Sequence, residues 1–203
     1  MLDAFARTIS FIFNPLFLLL PVPYLLVMRE TGEPLFALKW AVFTLLFIVC
    51  IGFFVLINVR KGYFTDLDVS KREQRPALFL FVSLVAIVYF VALYFLQGPL
   101  VLFVALGGIF FSILVFSFIN TRIKASIHAA SISALIISII LLYGRDFLLL
   151  LVLIPLIGWS RIRINRHTKP EVFLGTAVGL ILTLGMYFIF KVVLGISISG
   201  RLL

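Results

Sequence analysis

Only two histidines occur in this chain, and each stands among hydroxyls and cations. His167 falls in Ser160-Arg161-Ile162-Arg163-Ile164-Asn165-Arg166-His167-Thr168-Lys169-Pro170-Glu171, and His128 closes Ala125-Ser126-Ile127-His128, just after Lys124. An imidazole can serve as nucleophile or proton donor near neutral pH, and a guanidinium can grip two phosphate oxygens in its planar fork. Displacing a phosphate monoester needs such groups together: a nucleophile, an acid for the leaving alkoxide, and fixed positive charge where the transition state spreads its negative charge. Arg161 suits the last task, helped by Arg75 or Lys71 from Lys71-Arg72-Glu73-Gln74-Arg75-Pro76. Other chemistry is excluded. The single Cys50 allows neither an intrachain disulfide nor a thiolate metal cluster, and two histidines cannot build a multi-histidine centre. No metal and no cofactor is required.

The elements that must hold these groups are dictated by composition. Of 203 residues 64% are hydrophobic and 12% charged, about half the roughly 25% charge that a water-exposed globule carries. The chain therefore reads as an integral membrane protein, all-α. Charge-free apolar runs near the bilayer-crossing length are Ile9 to Met28, Trp40 to Asn58, Ala77 to Leu96, Pro99 to Ile119, Ala125 to Tyr143, Phe147 to Trp159 and Val172 to Phe190. The first carries Asn14, Pro15, Pro21 and Pro23 and is expected to be kinked or partly re-entrant. The sixth is short, with Arg161 and Arg163 placed to snorkel to the interface. A polytopic transmembrane helical bundle of six to seven spans follows, a single domain over residues 1–203 with no room for a soluble one. The N-terminal run fits a retained anchor better than a signal peptide.

If each span crosses once, the N-terminus and the loops after spans two, four and six share one face. That face gathers Arg7, Arg60, Lys61, Lys71, Arg72, Arg75, Arg122, Lys124, Arg161, Arg163, Arg166 and Lys169, twelve of the 17 basic residues, with both histidines. Two readings stand side by side: the positive-inside rule for cytoplasmic loops, or a site for an anionic headgroup.

Here a resemblance enters. The stretch from Ser160 to Glu171, heading a last span that contains Gly175 and Gly179, is similar to the third signature of the type 2 phosphatidic acid phosphatase family. That signature is Ser-Arg, a His after five residues and an Asp after three more; Glu171 stands where the family has Asp. Ala125-Ser126-Ile127-His128 resembles the second signature, Pro-Ser-Gly-His, keeping Ser and His and replacing Pro and Gly. Lys71 to Pro76 resembles a degenerate first signature, a Lys followed after six residues by Arg-Pro: Lys71 lies too close to Arg75, and Asp68 occupies the fitting position. The likeness runs from Lys71 to Gly179, and two apolar segments, Ala77 to Ile119, separate the first and second motifs where typical members have a shorter connection. It implies a phosphatase-like core over about residues 71–190, with the motif loops on one membrane face. It implies His167 as the nucleophile that becomes phosphorylated, His128 as the acid, and Arg161, Ser126, Arg75 and Lys71 around the phosphate; apart from the resemblance, Lys124, two residues before Ser126, reads as a phosphate contact that can substitute for the misplaced first-motif Lys, or as a basic loop residue. The expected activity is metal-independent hydrolysis of a lipid phosphate monoester or polyprenyl diphosphate at the extracytoplasmic face of the plasma (inner) membrane.

Several residues admit two roles. Ser126 can cap the fifth span or offer that helix N-terminus to a phosphate. Thr168 to Glu171 spells a capping box, yet Glu171 also lies four after His167, where a carboxylate would orient the imidazole. Arg163, Arg166 and Lys169 read as interfacial anchors or headgroup attractors and not as catalytic groups. Asp66, Asp68 and Glu73 suggest a Mg²⁺ site of prenyltransferase type but lack a second acidic cluster. Rival functions are a binding or transport protein that keeps the anion pocket without turnover, and a structural membrane protein with basic loops. For the phosphatase, the rings of His128 and His167 should flank one phosphate, with Arg161 beside them.

Overall fold

The computed structural model describes residues 1–193, so Arg201 and its neighbours lie outside the described part. Among the described residues there are nine α-helices and no strand: α1 (Leu2–Ile12), α2 (Pro15–Leu18), α3 (Val22–Thr31), α4 (Pro34–Arg60), α5 (Arg75–Phe95), α6 (Leu100–Asn120), α7 (Ile127–Tyr143), α8 (Leu153–Arg163) and α9 (Lys169–Val193). Two 3₁₀ helices, Arg72–Gln74 and Arg145–Val152, complete the described residues. All-helical architecture is what lipid demands, because every backbone polar group must be paired without water.

The expected break in the first apolar segment is present. The Asn14 side chain accepts from the Leu16 N–H, Pro15 has no N–H to continue α1, and Pro21 and Pro23 open α3. Span number differs from expectation. Among the described residues, four helices are long and apolar enough to cross a bilayer (Pro34–Arg60, Arg72–Phe95, Leu100–Asn120 and Lys169–Ile189), or up to five if the broken N-terminal pair counts as one, where six to seven were expected. The shortfall lies in the fifth and sixth apolar runs. The fifth makes a helix of only 17 residues, and the sixth is divided between the 3₁₀ helix Arg145–Val152 and the 11-residue α8. Apolar content alone cannot reveal that division, because a 3₁₀ stretch and an α-helix are equally hydrophobic.

The chain forms two compact units. One, Leu19–Arg122, contains α3 to α6. Its core is aromatic: Trp40, Phe43, Phe47 and Tyr89 meet edge-on or tilted, and the Thr44 hydroxyl hydrogen-bonds the Tyr89 phenol at 2.6 Å. Between α4 and α5 runs a loop in which the Asp66 carboxylate accepts from the Asp68 N–H and from both donors of Ser70. Buried Val69 there has φ 46°, a left-handed conformation that β-branched residues rarely adopt.

The other unit joins Met1–Leu18 to Ile123–Leu203. Its centre is the crossing of α7 and α9. A Cβ on Gly175 would collide with the Ser126 carbonyl, and one on Gly179 with the Ala130 carbonyl and the Ser133 hydroxyl. The Gly-x-x-x-Gly pair thus lets two backbones approach, as small residues do in membrane helix pairs. Ser133 Oγ reinforces the crossing by donating across it to the Thr176 carbonyl at 3.2 Å.

Candidate functional site

The spacing from Arg161 to His167 becomes a structure at the end of α8. Asn165 adopts a left-handed φ of 56°, the Asn165 N–H donates to the Ile162 carbonyl, and the Arg166 N–H returns to the Arg161 carbonyl at 3.0 Å. Those two bonds define a Schellman turn, with Asn in the position usually held by Gly. The His167 N–H also donates to the Arg161 carbonyl, at 3.2 Å. Six positions of sequence separation are thereby folded into adjacency, and both side chains are buried, Arg161 at 1% exposure and His167 at 7%.

Immediately afterwards α9 begins. Glu171 Oε2 accepts from the Thr168 N–H at 3.1 Å, the returning arm of a capping box, and lies 3.0 Å from His167 Nδ1. The two roles open in the sequence are therefore combined in one carboxylate oxygen. With a proton on Nδ1, an assigned tautomer, Nε2 carries the imidazole lone pair.

The second motif meets the third through backbone bonds. The Ser126 N–H donates to the Glu171 carbonyl at 3.0 Å, and Lys124 Nζ donates to the Arg166 carbonyl at 2.9 Å, closing the α8–α9 turn from the other side. Ser126 is fully buried as the N-cap of α7, its Oγ accepting from the Ala129 N–H, so the capping role is realised. His128 follows in the first turn of α7 and is 4% exposed. Ser126, His128, Lys124, Arg161, His167 and Glu171 accordingly share one unit, with the segments bearing them held against each other.

Lys71 and Arg75 belong to the other unit. Lys71 is exposed at the start of the 3₁₀ helix. Arg75, buried at the start of α5, points Nε at the Val69 carbonyl and Nη1 at Asn120 Oδ1, each at 3.5 Å.

Residues outside the motifs also build the site. α1 docks along α8 through three polar contacts one face apart: Ser160 Oγ donates to the Ala6 carbonyl at 2.7 Å, Arg161 Nη1 donates to Ser10 Oγ, and exposed Arg163 pairs with Asp3 at 2.6 Å. Ser10 is itself buried. Asp3 lies before the first apolar run, and Ser10 lies inside it as a small hydroxyl with no neighbouring motif. Their recurrence at positions 3 and 10, seven apart on one helical face, was the available signal.

No protein-family model, no curated protein and no solved structure matches the chain. The family resemblance thus rests on motif spacing alone.

Proposed function

We propose that this protein is a membrane lipid-phosphate phosphatase that works through a phosphohistidine. The observation supporting the reading is the His167 Nδ1 to Glu171 contact, in a turn that is bonded to the segment carrying Ser126 and His128. In this reading His167 Nε2 attacks the phosphorus of a lipid phosphate, the P–O bond to the lipid breaks, and His128 gives its proton to the departing alkoxide. Water then attacks the phosphohistidine, His128 takes up that water's proton, and inorganic phosphate leaves. Arg161, held by Ser10, supplies fixed positive charge, and the N-terminus of α7 adds its dipole. The lipid tail stays in the bilayer, α7 and the broken first segment also cross it, and the segments bearing Ser126, His128, Arg161 and His167 lie at the extracytoplasmic face.

A second reading is a lipid-phosphate binding or transport protein without turnover. It draws on two cations already directed at protein partners, Arg161 at Ser10 and Lys124 at the Arg166 carbonyl. Purified protein given phosphatidate in detergent with chelator separates the two. Phosphate release that disappears in His167→Ala, with the variant recovered in equal yield, is the expected result. His128→Ala should regain rate on substrates with more acidic leaving groups, whereas His167→Ala should not. Substrate-protected labelling with no phosphate release from the unaltered chain would sink the phosphatase and leave the binding protein.

A further inference from the structure

The unit Leu19–Arg122 holds a cleft of about 430 Å³ between α5 and α6, within the size range of ligand sites. Phe79, Leu80, Ile113 and Leu114 make its walls apolar, and Asn120 closes one end. Asn120 is buried and works as a junction. Its Nδ2 donates to the Arg72 carbonyl at 3.1 Å, and its Oδ1 faces Arg75 Nη1. Arg72 in turn reaches with Nη1 to the Arg122 carbonyl at 3.2 Å. The polar end of the cleft therefore adjoins Lys71, Arg72, Arg75 and Arg122, with Glu73 the acid in that stretch. Lys71 and Arg122 are exposed, and Arg72 is half-exposed.

An apolar trough ending in clustered cations is shaped for a molecule with a chain and an anionic head. We propose that this cleft binds an anionic phospholipid, one acyl chain between α5 and α6 and the headgroup phosphate at Arg72 and Arg122. Charge decides the occupant. A zwitterionic lipid fills the trough equally well but carries no net charge to meet these cations, whereas basic pockets between membrane helices favour anionic headgroups. A soluble anion would use the cations and leave the trough empty. One hydroxyl adds to the fit: Ser117 lies three residues before Asn120, about one helical turn below the polar end, whereas Ser83 Oγ, deeper in the trough, donates to the Phe79 carbonyl at 2.8 Å. The site needs no turnover and stands or falls apart from the phosphatase reading.

The test offers the purified full chain an equimolar mixture of phosphatidylglycerol and phosphatidylcholine with matched acyl chains, and reads the retained lipid by native mass spectrometry. Phosphatidylglycerol is a phosphodiester, so it probes binding without being a phosphate monoester substrate. Retention of one phosphatidylglycerol per chain with a preference of about fivefold, equivalent to roughly one cation's worth of attraction, is expected. The double variant Arg72→Gln, Arg122→Gln should bring the preference near unity. Both backbone carbonyls that accept hydrogen bonds here survive those substitutions. Ser117→Leu, on the exposed side of α6, should lower retention of both lipids by filling the trough. Equal retention of the two lipids by the unaltered chain overturns the proposal. So does a preference that survives in the double variant, or one abolished by millimolar inorganic phosphate while Ser117→Leu has no effect.

Discussion

In the unit made from Met1–Leu18 and Ile123–Leu203, seven polar or charged side chains are buried among the described residues: Ser10, Ser126, His128, Ser133, Ser160, Arg161 and His167. In Leu19–Arg122 there are two, Arg75 and Asn120. The latter unit packs by size, interlocking Trp40, Phe43, Phe47 and Tyr89. The former packs by closeness, using Gly175 and Gly179, and by hydrogen bonds that cross between helices. Lipid tails are as apolar as leucine, so helices in a bilayer associate by shape and polar contacts and gain little from apolar burial itself. Aromatic interlocking would serve both units if stability were the only demand. Burying ionisable groups is costly and marks function, and three of the four buried basic side chains among the described residues, His128, Arg161 and His167, lie in the former unit, with Arg75 alone in the latter.

Substitutions at four positions test that contrast. The largest effect is expected from Gly179→Val, which drives a side chain into the Ala130 carbonyl; a loss of about 3 kcal/mol or more should appear as loss of folded yield or a large fall in detergent Tm. A Tm unchanged in Gly179→Val would show that α7 and α9 do not depend on close approach. Arg161→Lys keeps the charge and loses the fork, and turnover on phosphatidate should fall about tenfold or more, equivalent to at least about 1.4 kcal/mol. Near-normal turnover would reduce Arg161 to an anchor for α1. Ser10→Ala removes the acceptor for Arg161 and should cost about 1 kcal/mol through one buried hydrogen bond, with partial recovery in Ser10→Thr. If Ser10→Ala changes neither stability nor turnover, the polar burial around α1 has no bearing on the site. In the aromatic unit, Gly107→Ala meets no atom within 4 Å and should raise stability slightly, by up to about 1 kcal/mol. Destabilisation there would mean that α6 too relies on close approach.

Much of the fold's punctuation was readable locally. Asn14, Pro15, Pro21 and Pro23 announced the broken first segment, and Thr168 with Glu171 announced the capping box. Local signals suffice when the interacting groups lie within one helical turn. The docking of α1 is another matter, since Asp3 and Arg163 are 160 residues apart and no spacing rule links them. Division of the chain into two units was equally hidden, because hydropathy marks a helix as apolar without saying whether it faces lipid or a neighbour. For the candidate site, residue types and the spacing of Arg161, His167 and Glu171 could be read from the sequence, whereas the left-handed turn at Asn165 that folds the first two together could not. The contribution of Ser10 and the double duty of Glu171 required coordinates.

In the proposed topology, where α7 crosses the bilayer, its 17 residues have a consequence for the surrounding lipid. At 1.5 Å per residue the helix is about 26 Å long, against a hydrocarbon core of about 30 Å. Hydrophobic mismatch of this sign is relieved by thinning of the adjacent lipid, at fractions of a kcal/mol per Å. The α7–α9 crossing holds the N-cap of α7 against the start of α9, so the short helix cannot slide to match a thicker membrane without breaking the Ser126 to Glu171 bond. Reconstitution in phosphatidylcholines of increasing acyl length should therefore give highest thermal stability in the thinner bilayers. In that topology membrane thickness would act as a control on the geometry around His128 and His167, exerted with no ligand at all.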